Sequence, residues 1–427
     1  MQHALDIFIS EHRVGTITNL GSDHNAFVFD PTYVADRNRP IVSLGFLDAD
    51  QELLEPGRPP QVRLLPFFAN LLPEGHLRKY LAQRAHVNQK RDFPLLWLLG
   101  GDLPGAVVAR HPDGTTVPPA DDDEVVAQEI EDDPSVLKFS LAGVQLKFSA
   151  IRDSEGGLTI PVHGRGGTWI AKLPSSTYPL VPENEYTMLT FARRVAIDVP
   201  AIGLIDSSEI ANVPPEVRTD LGQAMYIKRF DRDGDRRIHI EDFAQIFRQY
   251  PADKYKNVSY ANMLSGIWQT MGQDETAEFV RRLVFSMAIG NADMHLKNWS
   301  VIYRDGRTPT LAPAYDYVST IVYIPDDKLA LTIARTKEWR QISEERLERF
   351  ARRASVPRGI VLEAAREMVD RVRTELPHLN DAELVPRRFV DMIEAHIAQI
   401  PLFSRRAIVT GLETVNEPPP SAPVEIS

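Results

Sequence analysis

Gly290-Asn291-Ala292-Asp293-Met294-His295-Leu296-Lys297-Asn298 decides the fold, because it closes an apolar helix and leads straight into a strand. Upstream, Val280, Val284 and Met287 fall at i, i+4 and i+7 and predict one buried stripe on a helix over Glu278 to Ile289. Downstream, Trp299 to Tyr303 and Thr310 to Ala312 predict a β-hairpin across Arg304-Asp305-Gly306-Arg307, where Asp-Gly supplies the turn chemistry. The return strand runs into Pro313-Ala314-Tyr315-Asp316-Tyr317, so the hairpin delivers a second acid beside the loop that carries Asp293 and Asn298. The Asp-x-x-x-x-Asn interval is common by itself; the order strand, turn, strand, Asp gives it weight.

Phosphoryl transfer asks a protein for this kind of equipment: a carboxylate facing the acceptor hydroxyl, hard oxygen ligands for Mg²⁺, a cation on the phosphates and a covering loop. The interval matches the catalytic loop of protein kinases, which puts Asp293 at the acceptor and Asn298 and Asp316 on Mg²⁺. Tyr317 follows Asp316 where those enzymes carry Phe-Gly, a departure that bears on any switching movement of the segment. Lys172, in the apolar strand Thr168 to Leu173, is the expected phosphate cation. Glu183 and Glu185 on the following helix are its possible partners, with Glu185 preferred. The strand Tyr226-Ile227-Lys228-Arg229-Phe230-Asp231 falls where a hinge to the adenine of ATP would lie. Phe230 is expected against the base, and Lys228 to Phe230 bond it by backbone or side chain. His295 is expected to brace the loop at the nucleotide site by a hydrogen bond, since no His and acid cluster has zinc spacing. Gly164, Gly166 and Gly167 lack the full G-x-G-x-x-G and read as a hairpin turn.

The whole chain sets wider bounds. Its 427 residues favour two or three domains with ample core. The absence of cysteine excludes disulfides, thiolate metal sites and cysteine nucleophiles. A net charge of -11 argues against unaided binding of nucleic acid, although a partner can supply such contacts. Neither a leader-like start nor a long apolar run is present, so the expected setting is cytoplasmic, with no membrane contact.

The expected fold is α+β and two-lobed, protein-kinase-like, with a small N-terminal α+β subdomain and a largely helical C-terminal lobe. Residues 1–115 form the subdomain, with β-patterned runs at Leu5 to Ile9, Phe27 to Phe29 and Ile41 to Leu44 and an amphipathic stretch at Gly75 to Ala85. Residues 116–135 are an acidic linker around Asp121-Asp122-Asp123-Glu124 and Glu131-Asp132-Asp133. A nucleotide-binding lobe at 136–235 has strands at Thr168 to Leu173 and Ala224 to Ile227 around a helix over Glu183 to Val195. A catalytic lobe at 236–415 carries further helices near Ser343 to Ala354 and Ile360 to Glu375. The proline-rich tail, 416–427, is expected to be disordered.

Along nearly its whole length the sequence resembles the HipA family of bacterial toxin kinases. The resemblance rests on Phe67 to Gly75, Leu98 to Gly105, Ser140-Leu141-Ala142-Gly143-Val144-Gln145-Leu146-Lys147, Trp169 to Pro174 and Glu183-Asn184-Glu185-Tyr186. It continues through Lys228-Arg229-Phe230-Asp231, Asn291 to Asn298 and Pro313 to Ser319. It implies a serine/threonine protein kinase using ATP and Mg²⁺, with Asp293 catalytic, Asn298 and Asp316 on the metal and Lys172 on the phosphates. The Ser140 to Lys147 segment matches the family's phosphate loop, which places Ser140, Gly143, Gln145 and Lys147 at the nucleotide. Ser140 is then an autophosphorylation site whose added charge repels ATP and ejects the loop. The resemblance further implies a helix-turn-helix antitoxin of the HipB kind, operator DNA reached only through that partner, and an aminoacyl-tRNA synthetase as substrate, with growth arrest or persistence as the outcome. Two other readings stay open: a kinase of the same fold with a different substrate, and a catalytically silent co-repressor of an antitoxin.

Overall fold

The computed structural model describes residues 3–21, 24–60, 62–112, 146–153, 157–160, 166–175, 177–213 and 222–404. The acidic linker, the segment holding Ser140, Gly143 and Gln145, Gly164 and the tail lie outside those residues.

Alternation of apolar and polar residues builds the first sheet. In β1 (His3–Ile9), Leu5, Ile7 and Ile9 are buried at every second position. The antiparallel sheet runs β3 (Asn25–Phe29), β2 (His12–Asn19), β1, β4 (Val107–Arg110). Around it pack α1 (Pro31–Ala35), α2 (Pro66–Asn70), α3 (Gly75–Arg84) and α4 (Asp92–Leu99), enclosing a core of its own that includes Phe68, Phe93, Leu95 and Leu96.

A five-stranded antiparallel sheet follows: β6 (Leu158–Thr159), β5 (Lys147–Arg152), β7 (Trp169–Lys172), β9 (Gln223–Lys228), β8 (Ile202–Asp206), in that order. Helix α5 (Val181–Arg194) starts on a Pro-containing first turn. Its buried face, with Met188, Leu189 and Phe191, joins the core of the helical lobe. A short ribbon, β10 (Arg232–Asp233) and β11 (Arg236–Arg237), leads to β12 (His239–Asp242). β12 pairs with the hairpin β13 (Ser300–Tyr303) and β14 (Thr310–Leu311). The remaining elements are α6 (Phe243–Ile246), α7 (Tyr260–Met271), α8 (Gln273–Ala288), α9 (Glu344–Ala354), α10 (Arg358–Glu375) and α11 (Arg387–Ala398). The expected two lobes and N-terminal subdomain are present. Val280, Val284 and Met287 are all buried on α8, as their spacing predicts. Among the described residues no helix is long and apolar enough to cross a membrane.

One expected strand is absent. Ile41 to Leu44 reads as β, but Leu44–Phe46 is a 3₁₀ turn capped by Ser43. The reason is tertiary. Glu241 of β12, fully buried, accepts from Ser43 Oγ at 2.5 Å, Leu44 N at 2.9 Å and Tyr303 Oη at 2.5 Å, so this backbone serves a carboxylate in place of a ladder. Burial pushes Glu241 up to about 7. It therefore holds its proton more tightly folded than unfolded. Its contribution to stability is full below the ordinary value of 4.5 and is lost as pH rises through about 7. Glu241→Ala strands three donors between the subdomain and the helical lobe, and a loss of about 3 kcal/mol is expected in denaturant unfolding.

Candidate active site

The loop that opens the site is shaped by the end of α8. Gly290 takes φ 64° and Asn291 N donates to Ser286 O at 2.9 Å, a Schellman closure. A Cβ at Gly290 would stand 2.2 Å from Ile321 Cγ1, so glycine is required for space as well as for φ. The chain then turns through Asp293 into a short 3₁₀ turn, Leu296–Asn298, before β13. Asn298 Nδ2 donates to Asp293 O at 2.8 Å and fixes the loop across its own width.

Asn291 ties this loop to the second acid. Its Oδ1 accepts from Asp293 N at 3.0 Å and its Nδ2 donates to Asp316 O at 3.3 Å. Thr320 Oγ1 accepts from Ala292 N at 2.9 Å and so reinforces the same junction. Asp316 adopts φ 55°, a left-handed conformation that aspartate tolerates better than most residues and that clusters at functional sites. It stands five residues beyond β14 in irregular chain, past the strand end where the sequence placed it. Tyr317, in the place of the kinase Phe, is buried against Phe285 with ring centroids 5.3 Å apart.

From the other lobe come two lysines. Lys147 on β5 and Lys172 on β7 are cross-strand partners, an arrangement that sets two ammonium groups side by side. Like charges so placed repel. Both ammoniums are drawn to Asp316, Lys147 at 2.9 Å, and Lys172 also pairs with Glu185 of α5. Two cations thus meet two carboxylates. Burial works against the charge of Asp316, but Lys147 and Lys172 beside it hold its carboxyl far below the usual carboxylate range. Burial likewise works against charge on Lys172, and Asp316 and Glu185 more than offset it, so its ammonium is retained. Asn184, next to Glu185, exchanges hydrogen bonds with the Ser319 backbone at 3.0 and 3.1 Å and locks α5 to the Asp316 segment. Glu183 makes no ion pair with Lys172; Glu185 does.

Asp293 sits in a different field. Burial pushes it up to about 7 even though Tyr255 donates its hydroxyl to Oδ1 and Lys254 lies nearby, both of which favour the ionised form. His295 does not make the hydrogen bond expected of it. The ring is 1% exposed, neither nitrogen has a hydrogen-bond partner, and Nε2 stops 3.8 Å from Asp293 Oδ1. It packs edge-on to Tyr255 at 4.8 Å, and burial drives its pKa well below the ordinary value. A neutral ring wedged behind the loop therefore replaces the expected brace, and nothing places it on a nucleotide.

The hinge also needs correction. Lys228 N donates to Ala201 O at 2.8 Å and Arg229 N to Thr168 O at 2.9 Å, so the register of the sheet already uses these two donors. The Lys228 side chain is exposed. Phe230 does reach the helical lobe, 5.7 Å from the ring of Tyr315. Four residues near the loop were not anticipated in any role: Tyr255, Lys254, Lys297 and Glu74. Glu74 lies in one motif that drew notice, Phe67 to Gly75, and Lys297 in another, Asn291 to Asn298, while Lys254 and Tyr255 lie in none.

Residues 5–110 match the HipA N-terminal domain, and residues 139–376 match the HipA-like C-terminal domain. The chain belongs to the HipA family. The chain is 45% identical over 402 residues to a Sinorhizobium fredii protein named "Putative kinase Y4dM", covering 93% of the chain and 97% of that relative. It is 25% identical over 339 residues to the serine/threonine-protein kinase toxin HipA of Shewanella oneidensis, covering 69% and 72% of the two chains. A solved structure of HipA from Shewanella oneidensis, in a complex with HipB and operator DNA, superposes with a TM-score of 0.70 at 20% identity. The likeness covers 93% of this chain and 96% of that one, and at this identity it speaks to the fold.

Proposed function

We propose that this member of the HipA family is a Mg-ATP-dependent serine/threonine protein kinase. The observation that carries the reading is the junction of Asp293, Asn298 and Asp316, stitched together by Asn291, with Lys172 held over it from the other lobe by Glu185. Asn298 and Asp316 offer hard oxygen atoms of the kind Mg²⁺ selects. The two ammonium groups resting on Asp316 favour its ionised form, which supports a role in taking up positive charge. Mg²⁺ bound there would neutralise charge on the phosphates.

Within that scheme Lys172 and Lys147 turn from Asp316 toward the phosphates, and Glu185 keeps Lys172 in place. Asp293 orients the acceptor hydroxyl and takes its proton, a task for which a pKa of about 7 is well matched. Phe230 covers the adenine. Ser140, Gly143 and Gln145 belong to the phosphate loop, and phosphorylation of Ser140 switches the enzyme off by charge repulsion.

Asp293 must be ionised to act, so kcat/KM rises with pH up to about 7 and levels off above it. Tyr255→Phe removes a hydrogen bond that favours ionisation, and the acid limb of that profile is expected to move to higher pH; an unmoved limb rules out Asp293 as its source.

As substrate we infer a component of translation, an aminoacyl-tRNA synthetase, and as partner a helix-turn-helix antitoxin that carries the operator contacts. A net charge of -11 suits a protein that reaches DNA through a basic partner. Radiolabelled ATP with purified synthetases tests the substrate: label on at least one is expected, and label on none of them removes that substrate while autophosphorylation still reports the kinase.

A further inference from the structure

We infer that Glu74, in the N-terminal subdomain, is a positioning residue of the catalytic loop, so that the subdomain is part of the active site. The inference rests on the kinase reading above. Glu74 occupies the N-cap position of α3, where a carboxylate ordinarily accepts from its own helix, yet its side chain makes no capping bond. It reaches out of the subdomain. Oε1 lies 2.8 Å from Lys297 Nζ and Oε2 lies 3.0 Å from Lys254 Nζ.

Both lysines hold the loop. Lys297 belongs to it, one residue before Asn298, and its ammonium also donates to Asn70 O at 3.0 Å and Asn70 Oδ1 at 3.1 Å. Asn70 is fixed in turn, because its Nδ2 donates to Gln249 O at 2.8 Å and to Pro66 O at 2.8 Å. Lys254 holds the loop from a neighbouring segment: its carbonyl accepts from Leu296 N at 3.3 Å, and the next residue, Tyr255, donates to Asp293. One carboxylate therefore ties the 293–298 turn to the 254–255 segment that contacts it. Asp242, 3.9 Å from Lys297, and Asp293, near Lys254, are further acids facing this pair. Lys254 is buried and Lys297 nearly so, so without Glu74 two ammonium groups repel across a poorly solvated gap and the loop yields.

The chemistry predicts a charge-specific effect on turnover. A displacement of the loop by about 1 Å lowers kcat by about 10²-fold, while the phosphate and adenine contacts on the other lobe keep KM for ATP near its wild-type value. The test uses the full chain and Mg-ATP, reading ADP release without acceptor and autophosphorylation, for wild type, Glu74→Gln, Glu74→Asp and Asp293→Ala. Glu74→Gln is expected to lose kcat and keep KM, and Glu74→Asp, which retains the charge, is expected to recover most of it. Hydrogen exchange supplies a readout independent of catalysis: in Glu74→Gln the amides of 291–298 exchange faster while the β1 to β4 sheet stays protected. Wild-type kcat in Glu74→Gln overturns the inference, as does lost protection throughout the subdomain, which signals simple unfolding. Equal turnover by wild type and Asp293→Ala sinks the kinase reading itself, a result distinct from either.

Discussion

Asp293→Ala is expected to lower phosphoryl transfer from ATP by about 10²–10⁴-fold, the usual worth of a positioned acid-base group. The variant should fold. Asp293 is buried with a carboxyl pushed up to about 7, so burial disfavours its charge and alanine relieves that desolvation. Its loop is held by backbone atoms that alanine retains: Asn298 Nδ2 on the carbonyl and Asn291 Oδ1 on the amide. The one bond lost is that from Tyr255, whose ring still packs on His295. The measurement is label transfer from ATP into protein, alongside growth on expression. Wild-type growth arrest that survives Asp293→Ala would mean that toxicity does not run through catalysis and would favour a binding role.

Local pattern carried much of the architecture. Helix α8, the hairpin β13–β14 and helices α9 and α10 each announce themselves by period or turn chemistry, and each is present within a few residues. Lys172 beside Glu185 was readable because strand and helix are adjacent in sequence and one of only two acids can face back. The failures share a cause, which is partners distant in the chain. Ile41 to Leu44 has β composition, but Glu241, about 200 residues away, takes the Leu44 amide. Lys228 and Arg229 look free to serve a nucleotide until β7 and β8 pair on either side and consume their donors. His295 has the chemistry of a hydrogen-bonding brace, yet the packing of Tyr255 leaves it an apolar contact. Glu74 to Lys297 spans more than 200 positions, and neither residue has a local pattern that points to the other.

Lys172→Met tests stability and catalysis at once, and the two should separate. Lys172 is 3% exposed and Glu185 1%, so removing the ammonium leaves a buried carboxylate without its cation. Breaking a buried pair in this way costs about 3–5 kcal/mol. Asp316 suffers less, since Lys147 remains on its other oxygen at 2.9 Å. Replacing both members, as Lys172→Met with Glu185→Leu, exchanges the pair for apolar side chains of similar size, which is often neutral for stability or better. The double variant should therefore regain much of the melting temperature that the single variant loses. It should not regain activity, because the cation over the phosphates is still missing, and kcat/KM for ATP should stay as low as in Lys172→Met. Transfer at the wild-type rate by the restored double variant would mean that Lys172 holds the lobes together and does nothing at the phosphates.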